Sequence, residues 1–134
     1  MPMTQHNPTT IAAPVGAYSN GVSVCGGRWL HIAGQIGVDA AGILAPDLEG
    51  QAHHAWRNLV AVLQDAGMTV ANLVKVNHFL TEPGDVAGYA AVRARYLGEA
   101  RPASTLLIVR ALAQPRWLVE VDAVAWAASD GTAP

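Results

Sequence analysis

The sequence has little charge, one cysteine and one phenylalanine, and no long uninterrupted apolar run. Only 13% of its 134 residues are charged, although 51% are hydrophobic. The single cysteine, Cys25, excludes an intramolecular disulfide and any metal site built from several cysteines. The longest apolar stretch, residues 109–128, is interrupted by charged residues and a proline, which excludes a spanning helix. We therefore expect one cytoplasmic domain without a membrane segment or a metal site.

The charge balance also bears on possible partners. The net charge is −2 and the pI is about 6.2, whereas nucleic-acid binding depends on a dense basic surface that releases counterions. We therefore expect no nucleic-acid partner. A small domain with so little charge and so much aliphatic surface commonly covers part of that surface with another subunit. The composition thus predicts an oligomer.

Apolar spacing predicts two helices and five strands. Asp47 precedes apolar residues spaced three and four apart, which predicts a helix that ends at Gly67, and Asp85 begins a shorter helix that ends at Gly98. Strands are predicted at 22–24 and 29–35, paired as a hairpin through the glycines at 26–27, and at 73–80, 104–110 and 117–126. The order β-β-α-β-α-β-β predicts an α+β sheet with both helices on one face. A second copy of the chain would cover the other face.

Composition changes near both ends of the chain. We expect residues 1–12 to be a flexible polar leader, residues 13–127 to form a single domain, and residues 128–134 to be a flexible tail.

Six segments resemble the RidA proteins, also called YjgF or L-PSP proteins. They occur in the family's order between about residues 13 and 125. They are APVGAYS at 13–19, IAGQI at 32–36, NL to AG across 58–67, VKV and FLT within 74–81, YLGE and RPA within 96–103, and VEVDAVA at 119–125.

The resemblance implies a chorismate-mutase-like α+β fold assembled as a homotrimer, with ligand pockets in the clefts between subunits. It also implies hydrolysis of reactive enamines and imines, such as 2-aminoacrylate, to a 2-keto acid and ammonia, without cofactor or metal. In that family, an arginine directly after the Pro-Ala pair binds the substrate carboxylate, and a glutamate on the last strand holds the attacking water. Glu120 matches that glutamate.

The sequence departs from the family pattern at the arginine. Pro102 and Ala103 are followed by Ser104, whose neutral hydroxyl cannot form the paired charge-assisted hydrogen bonds of a guanidinium. Leu106 stands where a cysteine is often found, and Ala90 where the second helix can carry a pocket-lining asparagine. The resemblance therefore implies an inter-subunit pocket of non-standard specificity. Arg101 and Arg110 lie too far from position 104 to replace the arginine without rearrangement.

Each candidate site residue has a second interpretation. Glu120 is either a catalytic base or a carboxylate paired with an arginine across the subunit interface. Tyr18 either closes over a ligand or is an interface aromatic. The Gly34-Gln35 pair either lets a ligand approach or forms a bulge without one. Ser104 and Thr105 either donate hydrogen bonds to a ligand or are ordinary strand residues.

Two functions follow from these residues. The first is a RidA-like deaminase in which Glu120 activates water and Tyr18, Ser104 and Thr105 shape the pocket. The alternative is a non-catalytic trimer that binds a small metabolite or a partner protein. Ribonuclease activity is disfavoured by the acidic charge balance.

Overall fold

The computed structural model describes residues 3–129, which form two helices, a four-stranded sheet and a separate strand pair. The sheet order is β3-β6-β4-β5, in which only the β4–β5 pair is parallel. This confirms the α+β class. The elements are β1 (Met3–His6), β2 (Gly21–Val24), β3 (Arg28–Ile36), α1 (Leu48–Asp65), β4 (Leu73–Leu80), α2 (Val86–Leu97), β5 (Ala103–Ile108) and β6 (Val119–Ala127).

Helix α1 begins where the sequence pattern predicts. The Asp47 carboxylate accepts a hydrogen bond from the Gly50 backbone N–H at 2.8 Å, which satisfies one free donor of the first turn. Gly67 follows the helix with a positive φ of 71°, a conformation that glycine adopts without strain. One face of the helix, including Trp56 and Leu59, is fully buried.

Both helices pack on one face of the sheet, as predicted. Alternate residues of β6 point toward them, because successive strand side chains face opposite sides of a sheet. Val76 and Leu80 on β4 join the same core. The inward residues of β6 are Val119, Val121, Ala123 and Ala125, each no more than 3% exposed.

The predicted pairing of the first two strands is wrong. Strand β2 pairs with β1, and β3 pairs with β6 instead. Gly26 and Gly27 both have positive φ values, and a Cβ at Gly27 would lie 2.3 Å from the Ala127 carbonyl oxygen. The Trp126 indole N–H also donates to the Gly26 carbonyl oxygen. These two glycines therefore direct the chain onto the end of β6 rather than back onto β2.

The ends of the chain differ partly from expectation. The flexible leader proposed for 1–12 contains strand β1, whose backbone pairs with β2 from Met3 to His6. A mostly polar segment can form a strand when a partner edge is available, because strand preference depends strongly on context. Residues 1–2 and 130–134 lie outside the described residues, and 128–129 belong to no helix or strand.

Helix α2 begins at the predicted place without the predicted side-chain cap. Asp85 is the N-cap residue, but its carboxylate makes no capping hydrogen bond. Its backbone angles are already helix-like because Pro83–Asp85 form a 3₁₀ turn that leads into the helix. The backbone N–H of Asp85 donates to the Glu82 carbonyl oxygen, and that of Val86 to the Pro83 carbonyl oxygen.

The loop between β5 and β6 is longer than predicted. Buried Gln51 on α1 donates from its amide nitrogen to the carbonyl oxygens of Ala45 and Arg116, and accepts from the Leu118 N–H. Leu118 therefore bonds to the helix instead of extending β6. Within residues 3–129, no helix has the length and apolarity needed to cross a membrane.

The two N-cap aspartates provide a matched test of helix capping. We expect Asp47→Ala to lower the free energy of unfolding by about 1 kcal/mol, because the Gly50 N–H loses its acceptor. Asp85→Ala removes no capping hydrogen bond and should change the free energy of unfolding by less than half as much. Urea unfolding monitored by circular dichroism measures both. Equal losses in the two variants would contradict this interpretation of Asp47.

Candidate active site

Strand alternation places the predicted site residues on two faces of the sheet. Ser104 pairs in register with inward-facing Val76, whereas Glu120 pairs with Phe79, three residues further along β4. Ser104 therefore points to the helix side, and Glu120 to the open side. Within one chain these two residues do not share a pocket.

Glu120 and Gly34 lie in direct contact on the open face. A Cβ built at Gly34 would lie only 1.9 Å from Oε2 of Glu120, so any larger residue would displace the carboxylate. The β3–β6 register shifts between Ile32 and Gln35, which identifies the predicted interruption as a bulge. Gly34 therefore provides the space in which the Glu120 side chain lies.

Ser104 belongs to a hydrogen-bonded chain that the sequence pattern did not reveal. Its Oγ lies 2.9 Å from Nε2 of His78 on β4, and Nδ1 of His78 bonds to the Tyr89 hydroxyl on α2. The Trp56 indole N–H donates to the same hydroxyl at 3.2 Å. Trp56, Tyr89 and His78 are each no more than 1% exposed. The chain thus joins both helices to β4 and β5.

Burial determines the protonation state of this group of residues. It lowers the pKa of His78 to about 3, with smaller contributions from the positive charges of Arg93 and Lys75. Burial also raises the pKa of Tyr89 above its ordinary value. Both side chains are therefore neutral at pH 7. An imidazole with such a low proton affinity is a poor general base, which disfavours Ser104 as an activated nucleophile.

Arg93 on α2 is a further polar residue beside the hydrogen-bonded side chains of Trp56, Tyr89, His78 and Ser104. Its Cζ lies 5.8 Å from the centre of the Tyr89 ring, within the range of a cation–π contact. Its Nε is buried and has no hydrogen-bond partner among residues 3–129. Arg93 was not among the site residues predicted from the sequence. Its spacing of four from Tyr89 was the available signal, but nothing in the sequence connected Tyr89 to His78.

Other residues that were predicted to contact a ligand lie on the open side of the sheet with Glu120 or on the helix side with Ser104. Thr105 points to the open side, where Lys75 Nζ donates to its Oγ1 at 2.7 Å. Leu106 packs against the core on the helix side with Ser104. Ala90 is half-buried on α2, three residues before Arg93.

Tyr18 and Gln35 lie in irregular backbone. Tyr18 is half-buried, and the following residue, Ser19, donates from its backbone N–H to the Pro102 carbonyl oxygen at 3.0 Å. Tyr18 is thereby held near the start of β5. The Gln35 amide donates to the Ala33 carbonyl oxygen at 2.9 Å within the bulge.

Neither alternative arginine reaches Ser104. Arg101 donates from Nη1 to the carbonyl oxygens of Gly98 and Ala100, and Arg110 lies exposed beyond the end of β5. Among residues 3–129, no group of three or more His, Cys, Asp or Glu side chains is arranged to hold a metal ion.

A separate cleft of about 700 Å³ opens at the far end of β3. None of the predicted site residues lines it. Its walls are Ile36, Val38, Gly42, Leu44, Gln114, Pro115, Arg116 and Trp117.

Known proteins resemble the chain over most of its length. The family model described as endoribonuclease L-PSP matches residues 9–127. A RutC family protein of Pyrococcus horikoshii is 33% identical over 84% of this chain and 89% of its own length. The 2-iminobutanoate/2-iminopropanoate deaminase of Mus musculus is 33% identical over 87% of this chain and 86% of its own length.

Solved structures agree with these matches. The Rid-family protein YyfB of Yersinia pestis, whose function is unknown, superposes with a TM-score of 0.86 at 34% identity. The superposition covers 95% of this chain and all of that protein. With the family model matching nearly the whole folded region, the chain belongs to the RidA family, also called YjgF or L-PSP.

Proposed function

We propose that the protein is a cytoplasmic homotrimeric hydrolase of RidA type that acts on a reactive enamine or imine in a pocket between subunits. Glu120 activates the attacking water, and Ser104 in place of an arginine gives the pocket a non-standard specificity. Relatives from Mus musculus and Salmonella typhimurium that bear the name 2-iminobutanoate/2-iminopropanoate deaminase are 33% and 34% identical. Their names support the reaction class.

The placement of Glu120 and Ser104 on opposite faces of the sheet is the observation that carries this proposal. A pocket that uses both residues needs Glu120 from one subunit and Ser104 from another. The open face is unusual for a monomer, because large apolar side chains remain exposed on or beside the sheet. Trp29 on β3 is 52% exposed, and Leu107 on β5 is 48% exposed.

The chemistry requires one well-placed base. Glu120 takes a proton from water while the water oxygen bonds to the carbon of the protonated imine, and the C=N π electrons move to nitrogen to give a neutral carbinolamine. Glu120 then returns its proton to the nitrogen. As the C–N bond breaks and ammonia leaves, the hydroxyl proton passes to Glu120 and the carbonyl compound forms. An enamine enters the same sequence after protonation at carbon gives the iminium ion. Neither step needs an oxidant or a reductant.

The residues around Ser104 support a substrate with an apolar portion. Leu106 and Ala90 offer aliphatic surface where family members can carry polar side chains. We expect the pocket to accept larger, less polar imines than 2-iminobutanoate.

Neutral Ser104 also favours an alternative, a non-catalytic trimer that binds a small metabolite. The two functions differ in what happens to the ligand. A binding protein is stabilised against heat by a ligand that it leaves unchanged.

The oligomeric state is directly measurable. We expect light scattering after size-exclusion chromatography to give three times the 14.0 kDa chain mass. A mass of one chain at micromolar concentration would contradict the inter-subunit pocket, because Glu120 and Ser104 could not then act together.

The role of Glu120 is tested with imines that are generated during the assay. An amino-acid oxidase produces imines from a panel of amino acids, and semicarbazide traps the imine that escapes hydrolysis. For at least one amino acid, we expect the protein to reduce the amount of imine that semicarbazide traps. Glu120→Gln should lower the rate of that hydrolysis by a factor of about 10² or more, because the variant cannot accept the proton from water.

Asp122→Asn is the matched control for Glu120→Gln. Asp122 lies two residues along on the same face and accepts a hydrogen bond from the Asn77 amide, which an asparagine can also accept. This variant should keep the wild-type rate. If Glu120→Gln hydrolyses the accepted imine as fast as Asp122→Asn does, Glu120 is not the base. If no imine is hydrolysed but one stabilises the protein, the binding function replaces the enzymatic one.

A further inference from the structure

Trp56, Tyr89, His78 and Ser104 form a hydrogen-bonded chain of side chains. The positions of its hydrogen atoms follow from which atoms of each side chain can donate and which can accept. The Trp56 indole nitrogen can only donate, so the Tyr89 oxygen accepts from it. The Tyr89 hydroxyl hydrogen then has one available acceptor, Nδ1 of His78. Leaving that buried hydrogen unpaired would cost about 1–3 kcal/mol. Tyr89 therefore donates to His78.

The same order of donor and acceptor extends from His78 to Ser104. A neutral imidazole carries one N–H, and because Nδ1 accepts, Nε2 carries the hydrogen and donates to Ser104 Oγ. The Ser104 hydroxyl hydrogen is left without an acceptor among residues 3–129. His78 and Tyr89 thus make half-buried Ser104 a donor toward whatever occupies the adjacent space.

Arg93 supplies further unused donors beside the same residues. Its guanidinium lies over the Tyr89 ring, and no carboxylate among residues 3–129 pairs with it. Its charge acts on His78 more strongly than that of Lys75 does. The buried Nε–H has no partner, although a buried guanidinium donor normally has one. A ligand that fits here must offer acceptors to a cation and to a hydroxyl.

We propose that Arg93 and Ser104 bind the carboxylate of an organic acid, with Ser104 held as a donor by the Trp56–Tyr89–His78 chain. A carboxylate matches both features, since it is anionic and has two acceptor oxygens. This inference rests on the proposed function for the location of the pocket and names one group of its substrate. The positive charge comes from helix α2 rather than from position 104 of β5.

Equilibrium binding tests the inference without any turnover. Propanoate, 2-oxobutanoate and phenylpyruvate are each compared with their primary amides by calorimetric titration at pH 7.5. We expect the protein to bind at least one carboxylate about 10-fold or more tightly than its amide, since hydrogen bonds to charged groups contribute about 1.5–3 kcal/mol. Arg93→Gln should bring that ratio close to one.

Arg95→Gln is the matched control for Arg93→Gln. Arg95 lies on the same helix but is exposed and faces Glu49 at 3.8 Å. This variant should retain the wild-type ratio. Ser104→Ala should weaken both the carboxylate and the amide several-fold, because each accepts the serine hydrogen bond.

The positioning role of Tyr89 has its own test. Tyr89→Phe removes the donor to Nδ1, so His78 is no longer held in the Nε2–H form and can accept from Ser104 in part of the population. We expect this variant to lose affinity in the same direction as Ser104→Ala, although it removes no ligand contact. Tyr96→Phe is the control, because the Tyr96 hydroxyl bonds to His53 and not to His78. Long-range ¹⁵N–¹H NMR should find the His78 proton on Nε2 alone in the wild type and divided between Nε2 and Nδ1 in Tyr89→Phe.

Specific results would overturn the inference. It fails if no carboxylate binds more tightly than its amide, or if Arg93→Gln keeps the wild-type ratio. It also fails if Arg93→Gln dissociates the oligomer, because Arg93 would then pair with a carboxylate of a second copy. A His78 proton on Nδ1 in the wild type overturns the donor role of Ser104. Loss of the imine-hydrolysis result alone would refute the proposed reaction and leave this binding site intact.

Discussion

A line of four side chains, from Trp56 through Tyr89 and His78 to Ser104, connects both helices to the sheet. Its members come from α1, α2, β4 and β5, so the packing of the two helices and the environment of Ser104 are parts of one arrangement. Because the inner members are fully buried and neutral, each hydrogen bond constrains the next. The chemical character of the Ser104 hydroxyl is therefore decided in the core, by side chains that the proposed site does not place against the ligand.

The sheet imposes the second constraint. Period-two alternation sends Ser104 and Glu120 to opposite sides, and the bulge at Gly34 leaves space for the glutamate on its side. A site built from both residues has to be shared between copies. The low charge of the chain and its exposed apolar strand residues agree with such sharing, since a covered face needs few charged side chains.

Local patterns predicted most of the fold because they act over short distances. The Asp47 cap, the spacing of apolar residues along α1 and the limits of β4 are all determined within a few neighbouring residues. Pairing of β2 with β1 was missed, since it depends on the close approach of Gly27 to the end of β6, a hundred residues away. Among the candidate site residues, Glu120, Gly34 and Ser104 were predicted from their motifs. His78, Tyr89 and Arg93 were not, because only the folded chain brings β4 and α2 together around them.

The Nε2–H of His78 requires an acceptor at position 104, and this limits how the sequence can diversify. An arginine at 104 would offer only donors to that N–H and would bring a second positive charge close to Arg93. Restoring the common family residue would therefore require compensating replacements at His78 and on α2. We therefore expect residues 78, 89, 93 and 104 to depend on one another, so that Ser104→Arg alone is more disruptive than the same change combined with replacements at His78 and on α2.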